Sequence, residues 1–255
     1  MKRINIRGVE LNVTELNRGA RETLIMVHGM FTNLSVFYLQ IAPELARNYH
    51  VVLYDLRSHG LSEWTDEGYT LESMTEDAIA VMDTLEISRA HIVGYSFGGL
   101  IALNSILSYP ERFDKLVIIE APDPSDKEMH KLMDEQGLGY LDNGIAKYSH
   151  STNIIPGSRQ KAKGQKLYEH LFLNPKIRAE MVSDCDFMKN KAIDSIGHET
   201  LLLYGGGSEC LEAGKMLSQR ISKATFKTCD GDHNIPIQQP RWISEKLEDF
   251  FYNKT

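Results

Sequence analysis

Five short apolar runs, each ending at a turn or a polar residue, constrain the fold of this 255-residue chain more than any other feature. The runs are TLIMV (23–27), VVLY (51–54), HIVGY (91–95), KLVII (115–119) and TLLLY (200–204). Short apolar runs bounded by turn residues are typical of strands buried on both faces of a parallel sheet. We therefore predict a mostly parallel sheet at the centre of the molecule.

Segments with helical spacing of their apolar residues alternate with these runs. They lie near 36–47, 71–86, 97–109, 211–221 and 240–252, and a further strand is predicted at 224–229. This alternation predicts right-handed βαβ units and a doubly wound sheet with helices on both faces. The opening residues alternate apolar and polar side chains around Gly8, which predicts a β-hairpin. The predicted fold class is therefore α/β, with functional groups expected at the carboxyl ends of the strands.

Residues 121–197 interrupt the alternation. They are mostly polar, open with the turn-forming sequence APDPSD and contain amphipathic patterns near 126–136 and 163–173. A chain of 255 residues suits one α/β domain, since such domains routinely reach about 200–250 residues. We predict one core domain, formed by residues 1–120 and 198–255, with a mainly helical lid or cap inserted between its two parts.

Composition and charge exclude several classes of protein. The formal net charge of −7 argues against a nucleic-acid-binding surface, which needs a basic face. The N-terminal sequence MKRINIRGVELNV lacks the continuous apolar core of a signal peptide, and no run of about 18 apolar residues occurs. Three widely spaced cysteines without metal-ligand spacing indicate reduced thiols. We expect a cytoplasmic protein that binds neither nucleic acid nor membranes.

The sequence GYSFG (94–98) matches the pattern G-x-S-x-G. A predicted strand precedes it and a predicted helix follows it, so Ser96 is expected on the sharp turn between them, where the two glycines give the turn room. This context predicts that Ser96 is a nucleophile. A purely structural serine is the alternative.

A serine nucleophile needs a neighbouring base, because its hydroxyl is weakly reactive at its free pKa. His233, in the sequence GDHN, follows the last predicted strand and fits the chain order nucleophile, acid, histidine. His28 and His59 lie in loops before Ser96 and fit this order less well. We predict that His233 is the general base; a histidine that only caps the final helix is the alternative.

Attack of serine on a carbonyl carbon creates an oxyanion, which needs N–H donors. The N–H of Phe97, at the start of the predicted helix, is one expected donor. The second donor is expected in the loop after the strand at 23–27, with Met30 as the first choice and Phe31 as the next. Phe31 and His28 are also the predicted substrate-binding residues, and the alternative for His28 is that it only shapes the turn.

Five sequence motifs together make the chain similar to the α/β-hydrolase superfamily: HGMFTN (28–33), DLRSHGLS (55–62), GYSFGG (94–99), YPERFDKLVII (109–119) and GDH (231–233). The resemblance covers nearly the whole chain and implies an α/β-hydrolase fold with a catalytic serine, acid and histidine. In most of the superfamily the acid is an aspartate in a G-x-x-D turn after the strand at 200–204. Here that turn reads GGGS and ends at Ser208, so the usual aspartate is missing.

A subgroup of small bacterial serine esterases has a similar GG-x-S turn and carries its acid at the end of the preceding strand, in a sequence resembling DKLV-x-ID. The sequence DKLVIIE (114–120) has Glu120 at that position. The resemblance therefore implies that Glu120 is the acid, which orients the histidine and stabilises its charged form, and that Ser208 supports it. Glu209 and Asp123 remain competing candidates for the acid.

Further polar and aromatic residues lie near the predicted strand ends. Asp55, Arg57 and His59 are expected to stabilise the loop beside the site, and Trp64 lines the pocket or belongs to the core. The segment RQKAKGQK (159–166) holds four basic residues. We expect this segment to form a solvent-exposed surface. The alternative is that it binds the phosphate of a CoA- or carrier-bound substrate.

Together these expectations describe a serine hydrolase that cleaves an ester or thioester bond of a small acyl substrate through an acyl-enzyme intermediate. No metal or organic cofactor is required for this chemistry. The alternatives on the same residues are a lactonase, a C–C bond hydrolase or a lyase. A ligand receptor of the same fold with little turnover is the alternative outside catalysis.

Overall fold

A computed structural model of the protein describes residues 2–127, 131 and 135–252. These residues form one eight-stranded sheet in the order β1-β2-β4-β3-β5-β6-β7-β8. The strands are β1 (Lys2–Ile6), β2 (Val9–Leu16), β3 (Thr23–Val27), β4 (His50–Tyr54), β5 (Ala90–Tyr95), β6 (Phe113–Ile119), β7 (Glu199–Gly205) and β8 (Ala224–Cys229).

The strand pairing follows the sequence pattern. β1 pairs antiparallel with β2, which confirms the hairpin around Gly8, and β2 pairs antiparallel with β4. All pairs from β4 through β3 to β8 are parallel. Because β4 lies on one side of β3 and β5 on the other, the direction of winding reverses at β3. Ligands bind beyond the carboxyl ends of the strands at such a switch point in open α/β sheets.

The helices cover both faces of the sheet. Outside the segment between β6 and β7 they are α1 (Ser35–Tyr38), α2 (Ile41–Leu45), α3 (Leu71–Thr84), α4 (Phe97–Ser108), α8 (Leu211–Arg220), α9 (Ile235–Gln238) and α10 (Pro240–Tyr252). The single helix predicted over 36–47 is two short helices. Pro43 has no N–H to donate to the carbonyl of Leu39, so one continuous helix would lose a backbone hydrogen bond there.

Buried strands supply apolar side chains to two layers of core. In β3, Ile25 and Val27 pack into the layer with α3, α4 and α8, while Leu24 and Met26 pack into the layer with α1, α2 and α10. All four side chains are essentially inaccessible to solvent. This two-sided burial is the reason that the strand sequences are continuous apolar runs rather than alternating ones.

The segment between β6 and β7, residues 121–197 and here called the insertion, contains α5 (Leu138–Thr152), α6 (Ser158–Tyr168) and α7 (Pro175–Ser183). A π-helical turn, Glu169–Leu173, extends α6 and completes the helix predicted over 163–173. The helix predicted over 126–136 falls largely outside the described residues. Within the described part of the chain, no helix is long and apolar enough to cross a membrane.

Candidate active site

Ser96 occupies a tight turn between β5 and α4. Its backbone has φ of 54° and ψ of −124°, a conformation that non-glycine residues adopt at a cost in strain. The flanking glycines permit this turn. A Cβ on Gly94 would lie 2.1 Å from the carbonyl oxygen of Gly98, and a Cβ on Gly98 would lie 2.2 Å from the carbonyl oxygen of Val27. Glycine is therefore required at both positions for the helix to approach the sheet.

His233 lies beside Ser96 in the loop after β8. Its Nε2 is 3.0 Å from the Ser96 Oγ, which is hydrogen-bond distance. The hydroxyl of Tyr95 donates to the backbone carbonyl of His233 at 3.0 Å, and the two rings lie 5.4 Å apart. Tyr95 directly precedes Ser96, so one strand end positions both members of the pair.

Glu120 lies at the end of β6 and reaches the opposite side of the histidine ring. Its Oε2 is 3.3 Å from the Nδ1 of His233. The carboxylate is fully buried, and a buried charge is costly unless hydrogen bonds compensate it. The backbone N–H of Gly205 donates to Oε1, and the hydroxyl of Ser208 donates to Oε2. The structure thus brings together Ser96, His233 and Glu120 in one chain of hydrogen bonds.

The competing carboxylates have other partners. Glu209 is more than half exposed and forms an ion pair with Lys147 of α5 at 2.8 Å. Burial would raise the pKa of Glu209, but the hydrogen bond from Lys147, together with a backbone hydrogen bond and the charge of His233, outweighs burial and lowers it. Asp123 accepts a hydrogen bond from the N–H of Ser125 at 2.9 Å within its own turn. Of the three acids named from the sequence, Glu120 is the one bonded to the His233 ring.

The GGG turn after β7 packs closely against the loop after β8, which carries His233. The N–H of Gly207 donates to the carbonyl of Gly231 at 2.9 Å, and a Cβ on Gly205 would lie 2.5 Å from that same oxygen. The turn then returns toward His233, where the Sγ of Cys210 lies 3.4 Å from Nδ1. Sequence reasoning missed Cys210, because a lone cysteine carries no motif and its approach depends on this turn.

The electrostatic surroundings of His233 favour its charged form. Burial alone would lower the pKa of the imidazole, but the contacts with Cys210 and Glu120 outweigh burial and raise the pKa above its ordinary value of 6.5. A base of raised pKa holds its proton more firmly after it has taken it from serine.

Two backbone N–H groups in the turns that border Ser96 lack an acceptor among the described residues. A Cβ on Gly29 would lie 2.7 Å from the Cβ of Ser96, so the loop after β3 borders the serine directly. The N–H of Phe31 is 3.3 Å from the Nε2 of His59, to which it donates. Within the described part of the chain, the N–H groups of Met30 and Phe97 have no hydrogen-bond acceptor. This difference favours Met30 over Phe31 as the partner of Phe97.

His28 is fully buried among the loops. Its Nδ1 contacts the carbonyl of Gly29 at 2.7 Å, and its Nε2 accepts from the N–H of Leu56 at 3.0 Å. Burial lowers the pKa of His28 to about 4, so the ring is neutral. The structure places His28 in the turn-shaping position and leaves it no surface for contact with a substrate.

The loop after β4 is held by the residues that the sequence indicated. Asp55 accepts hydrogen bonds from Asn12, Leu34 and Leu61 at 2.8, 2.8 and 2.9 Å. Arg57 forms a buried, bidentate ion pair with Asp77. Burial lowers the pKa of His59 to about 3, so this ring too is neutral and can accept from Phe31. These residues shape the loop after β3 rather than contact Ser96.

Phe31 connects the core to the insertion. Its ring lies 5.9 Å from Tyr168 and 5.6 Å from Phe172, which themselves stack at 5.2 Å. Trp64 packs at 4.8 Å from the ring of His170 in the same region. The insertion therefore covers the loop after β3 with aromatic side chains.

The basic segment 159–166 lies on α6. The Lys163 ammonium donates to the carbonyl of Gly60, and the side chains of Arg159, Lys161 and Lys166 are exposed. One of the four bases thus joins the insertion to the core, and the other three face solvent.

Comparison with known proteins agrees with this geometry. The sequence pattern of the alpha/beta hydrolase fold family matches residues 22–163. 3-Oxoadipate enol-lactonase 2 of Acinetobacter baylyi is 33% identical over 257 residues, 96% of this chain and 94% of the relative. 2-Hydroxymuconate semialdehyde hydrolase of a Pseudomonas species is 27% identical, covering 95% and 90%. The solved structure of an esterase from Exiguobacterium antarcticum superposes with a TM-score of 0.79 at 18% identity, covering 99% of each chain.

Proposed function

This chain belongs to the α/β-hydrolase fold family, and we propose that it is a serine hydrolase that cleaves an ester or thioester bond of a small molecule. The observation that carries the proposal is the hydrogen-bonded series of Ser96, His233 and Glu120, with 3.0 Å from serine Oγ to Nε2 and 3.3 Å from Nδ1 to the carboxylate. Nucleophile, base and orienting acid are the three parts that such catalysis needs.

Acylation begins when the Ser96 Oγ attacks the carbonyl carbon and Nε2 of His233 takes the hydroxyl proton. Glu120 stabilises the resulting imidazolium through Nδ1–H. The carbonyl oxygen becomes an oxyanion and accepts from the N–H groups of Met30 and Phe97. When the tetrahedral intermediate collapses, the bond to the leaving alcohol or thiol breaks, and His233 returns the proton to that leaving group.

Deacylation repeats these steps with water. Nε2 of His233 takes a proton from water, whose oxygen attacks the acyl carbon, and the oxyanion forms again at Met30 and Phe97. The ester bond to Ser96 Oγ then breaks, His233 protonates the serine, and the acid product leaves. Each cycle consumes one water and leaves the enzyme unchanged.

The insertion acts as a lid that determines which acyl groups the site accepts. The aromatic cluster of Phe31, Tyr168 and Phe172 favours substrates with an apolar acyl chain, since these rings adjoin the loop that carries Met30. The exposed bases of segment 159–166 would meet a CoA- or carrier-bound substrate outside the pocket, and acyl-CoA thioesters therefore belong in the substrate panel.

The test combines labelling with turnover. Wild type and Ser96→Ala are treated with a fluorophosphonate probe and assayed with p-nitrophenyl esters and acyl-CoA thioesters of increasing chain length. We expect one covalent label at Ser96 and ester turnover in wild type, and neither in Ser96→Ala. A wild-type protein that neither labels nor turns over any member of the panel overturns the proposal and favours a ligand receptor.

A cyclic ester is the second candidate substrate, because the relative with 33% identity is an enol-lactonase. Ring opening of a lactone uses the same attack by Ser96, with the leaving alkoxide retained in the acyl chain. Assaying simple lactones by proton release beside the linear esters decides between the two. A kcat/KM for lactones at least about tenfold above that for linear esters, a difference of about 1.4 kcal/mol in transition-state binding, would favour the lactonase.

A further inference from the structure

Three side chains place different kinds of ligand atom close together at the inner end of the site. They are the Oε2 of Glu120, the Sγ of Cys210 and the Nδ1 of His233, and these atoms all lie within 4.8 Å of one another. Nδ1 is 3.3 Å from the carboxylate oxygen and 3.4 Å from the sulfur. In the hydrolytic mechanism the carboxylate and the imidazole handle the proton, and the thiol takes no part in bond making or proton transfer.

These separations resemble the edges of a tetrahedral zinc site. Zn²⁺ binds carboxylate oxygen and imidazole nitrogen at about 2.0–2.1 Å and thiolate sulfur at about 2.3 Å, so tetrahedral ligand atoms lie roughly 3.3–3.6 Å apart. Both measured distances from Nδ1 already meet this requirement. The sulfur and the carboxylate oxygen, no more than 4.8 Å apart, need to approach each other by at most about 1.2 Å.

Charge and outer contacts also suit a dication. A carboxylate and a thiolate together neutralise two positive charges, as a mostly buried site demands. The set of carboxylate, imidazole and thiolate prefers Zn²⁺ or Cd²⁺ to Mg²⁺ or Ca²⁺, which take oxygen ligands alone. Ser208 donates to the Glu120 carboxylate, an outer hydrogen bond of the kind that orients metal ligands.

We propose that Glu120, Cys210 and His233 bind Zn²⁺, or Cd²⁺ in its place, and that the bound ion switches the enzyme off. The ion bonds to Nδ1, so the imidazole carries its proton on Nε2, and the Cys210 thiol releases one proton to solvent. A protonated Nε2 cannot accept the proton of Ser96, and the Glu120 carboxylate is no longer free to stabilise an imidazolium. The inhibition rests on the proposed hydrolase function, whereas the binding of the ion does not.

Cadmium binding tests the site directly. Cd²⁺ is titrated into wild type, Cys210→Ser, Cys185→Ser and Ser96→Ala, and the ultraviolet absorption of the cadmium–thiolate bond is followed beside equilibrium dialysis of Zn²⁺. We expect one bound ion in wild type, in the insertion-thiol control Cys185→Ser and in Ser96→Ala. Cys210→Ser is expected to lose the absorption band and at least about 100-fold in affinity, since even the loss of an outer contact costs roughly 10- to 100-fold.

The activity measurement uses the ratio of rates with and without Zn²⁺ for each variant. The expected result is inhibition of wild type and Cys185→Ser that a chelator reverses, and at least about 100-fold weaker inhibition of Cys210→Ser. Unchanged Cd²⁺ absorption in Cys210→Ser, or no bound ion in wild type, overturns the proposal. A protein that binds the ion as expected but turns over no substrate contradicts the proposed hydrolase function instead.

Discussion

The strand-end site of the core and the insertion are held in place by different forces. Glu120 is fixed by the end of a buried strand, and its partners Gly205 and Ser208 belong to the neighbouring turn. The insertion meets the core through side chains, such as the carboxylate of Glu180, which accepts from the N–H groups of Gly68 and Tyr69, both at 2.7 Å. The core thus fixes Ser96, His233 and Glu120, and the Glu180 contacts that attach the insertion involve none of them.

The largest expected effect separates a core histidine from an insertion histidine. His233→Ala removes the base and should lower kcat by about 10⁶-fold, the loss typical of removing a catalytic histidine. His170→Ala removes the contact of the His170 Nε2 with the carbonyl of Thr65 at 2.7 Å and should instead lower the free energy of unfolding by about 1–2 kcal/mol. Steady-state kinetics and urea denaturation of both variants measure this contrast. Equal losses of kcat would remove the distinction between the two regions.

A glycine-to-alanine substitution should have opposite effects on the free energy of unfolding in the two regions. Gly98→Ala forces a Cβ to within 2.2 Å of the Val27 carbonyl and should lower the free energy of unfolding by about 3 kcal/mol. Gly164→Ala, in α6 of the insertion, meets no atom within 4 Å and should raise it by up to about 1 kcal/mol. Chemical denaturation of the two variants beside wild type is the measurement. A Gly98→Ala protein as stable as wild type would show that the turn relaxes.

The pH dependence of turnover reports on the core alone. His233 must be neutral to take the serine proton, and its contacts with Cys210 and Glu120 raise its pKa above 6.5 against the opposing effect of burial. We therefore expect kcat/KM to rise about tenfold per pH unit on the acid side, with a midpoint above 6.5. Rates measured in constant-ionic-strength buffers locate the midpoint, and a value at or below 6.5 would contradict the assigned contacts.

The smallest effect concerns how the insertion is attached. Glu180→Ala leaves the N–H groups of Gly68 and Tyr69, just before α3, without their acceptor, and should lower stability by about 1–2 kcal/mol and speed proteolysis of the insertion. Glu67→Ala removes an exposed ion pair with Lys176 and serves as the control with no measurable change. Faster cleavage in the control than in Glu180→Ala would show that other contacts hold the insertion.

The sequence predicted the core well because its signals are local. Buried runs such as TLIMV became strands with the predicted bounds, and the glycines of GYSFG were required by the turn. The α5 and α7 helices escaped prediction, because α5 contains Gly139 and Gly144 and α7 follows directly on the π-helical turn. α7 is also short, with weak apolar periodicity, and tertiary contacts decide the structure of such a helix.

The site shows the same division between local and tertiary information. Ser96 and His233 follow from motif and chain order, and Glu120 follows from the resemblance to esterases with a GG-x-S turn. Cys210 could not be found in this way, since its approach to Nδ1 at 3.4 Å arises from the packing of two loops. The sequence already favoured Met30 over Phe31, and the hydrogen bond from the N–H of Phe31 to His59 adds a structural reason for that choice.

The central claim is that Glu120, and not Glu209, completes the site. The most direct measurement is kcat of Glu120→Gln beside Glu209→Gln, with folding of both checked by denaturation. We expect about a 10⁴-fold loss in Glu120→Gln, as when the acid of such a site becomes an amide. Glu209→Gln should keep the wild-type kcat, since it breaks only an exposed ion pair with Lys147. Full activity in Glu120→Gln together with a loss of that size in Glu209→Gln would contradict the account.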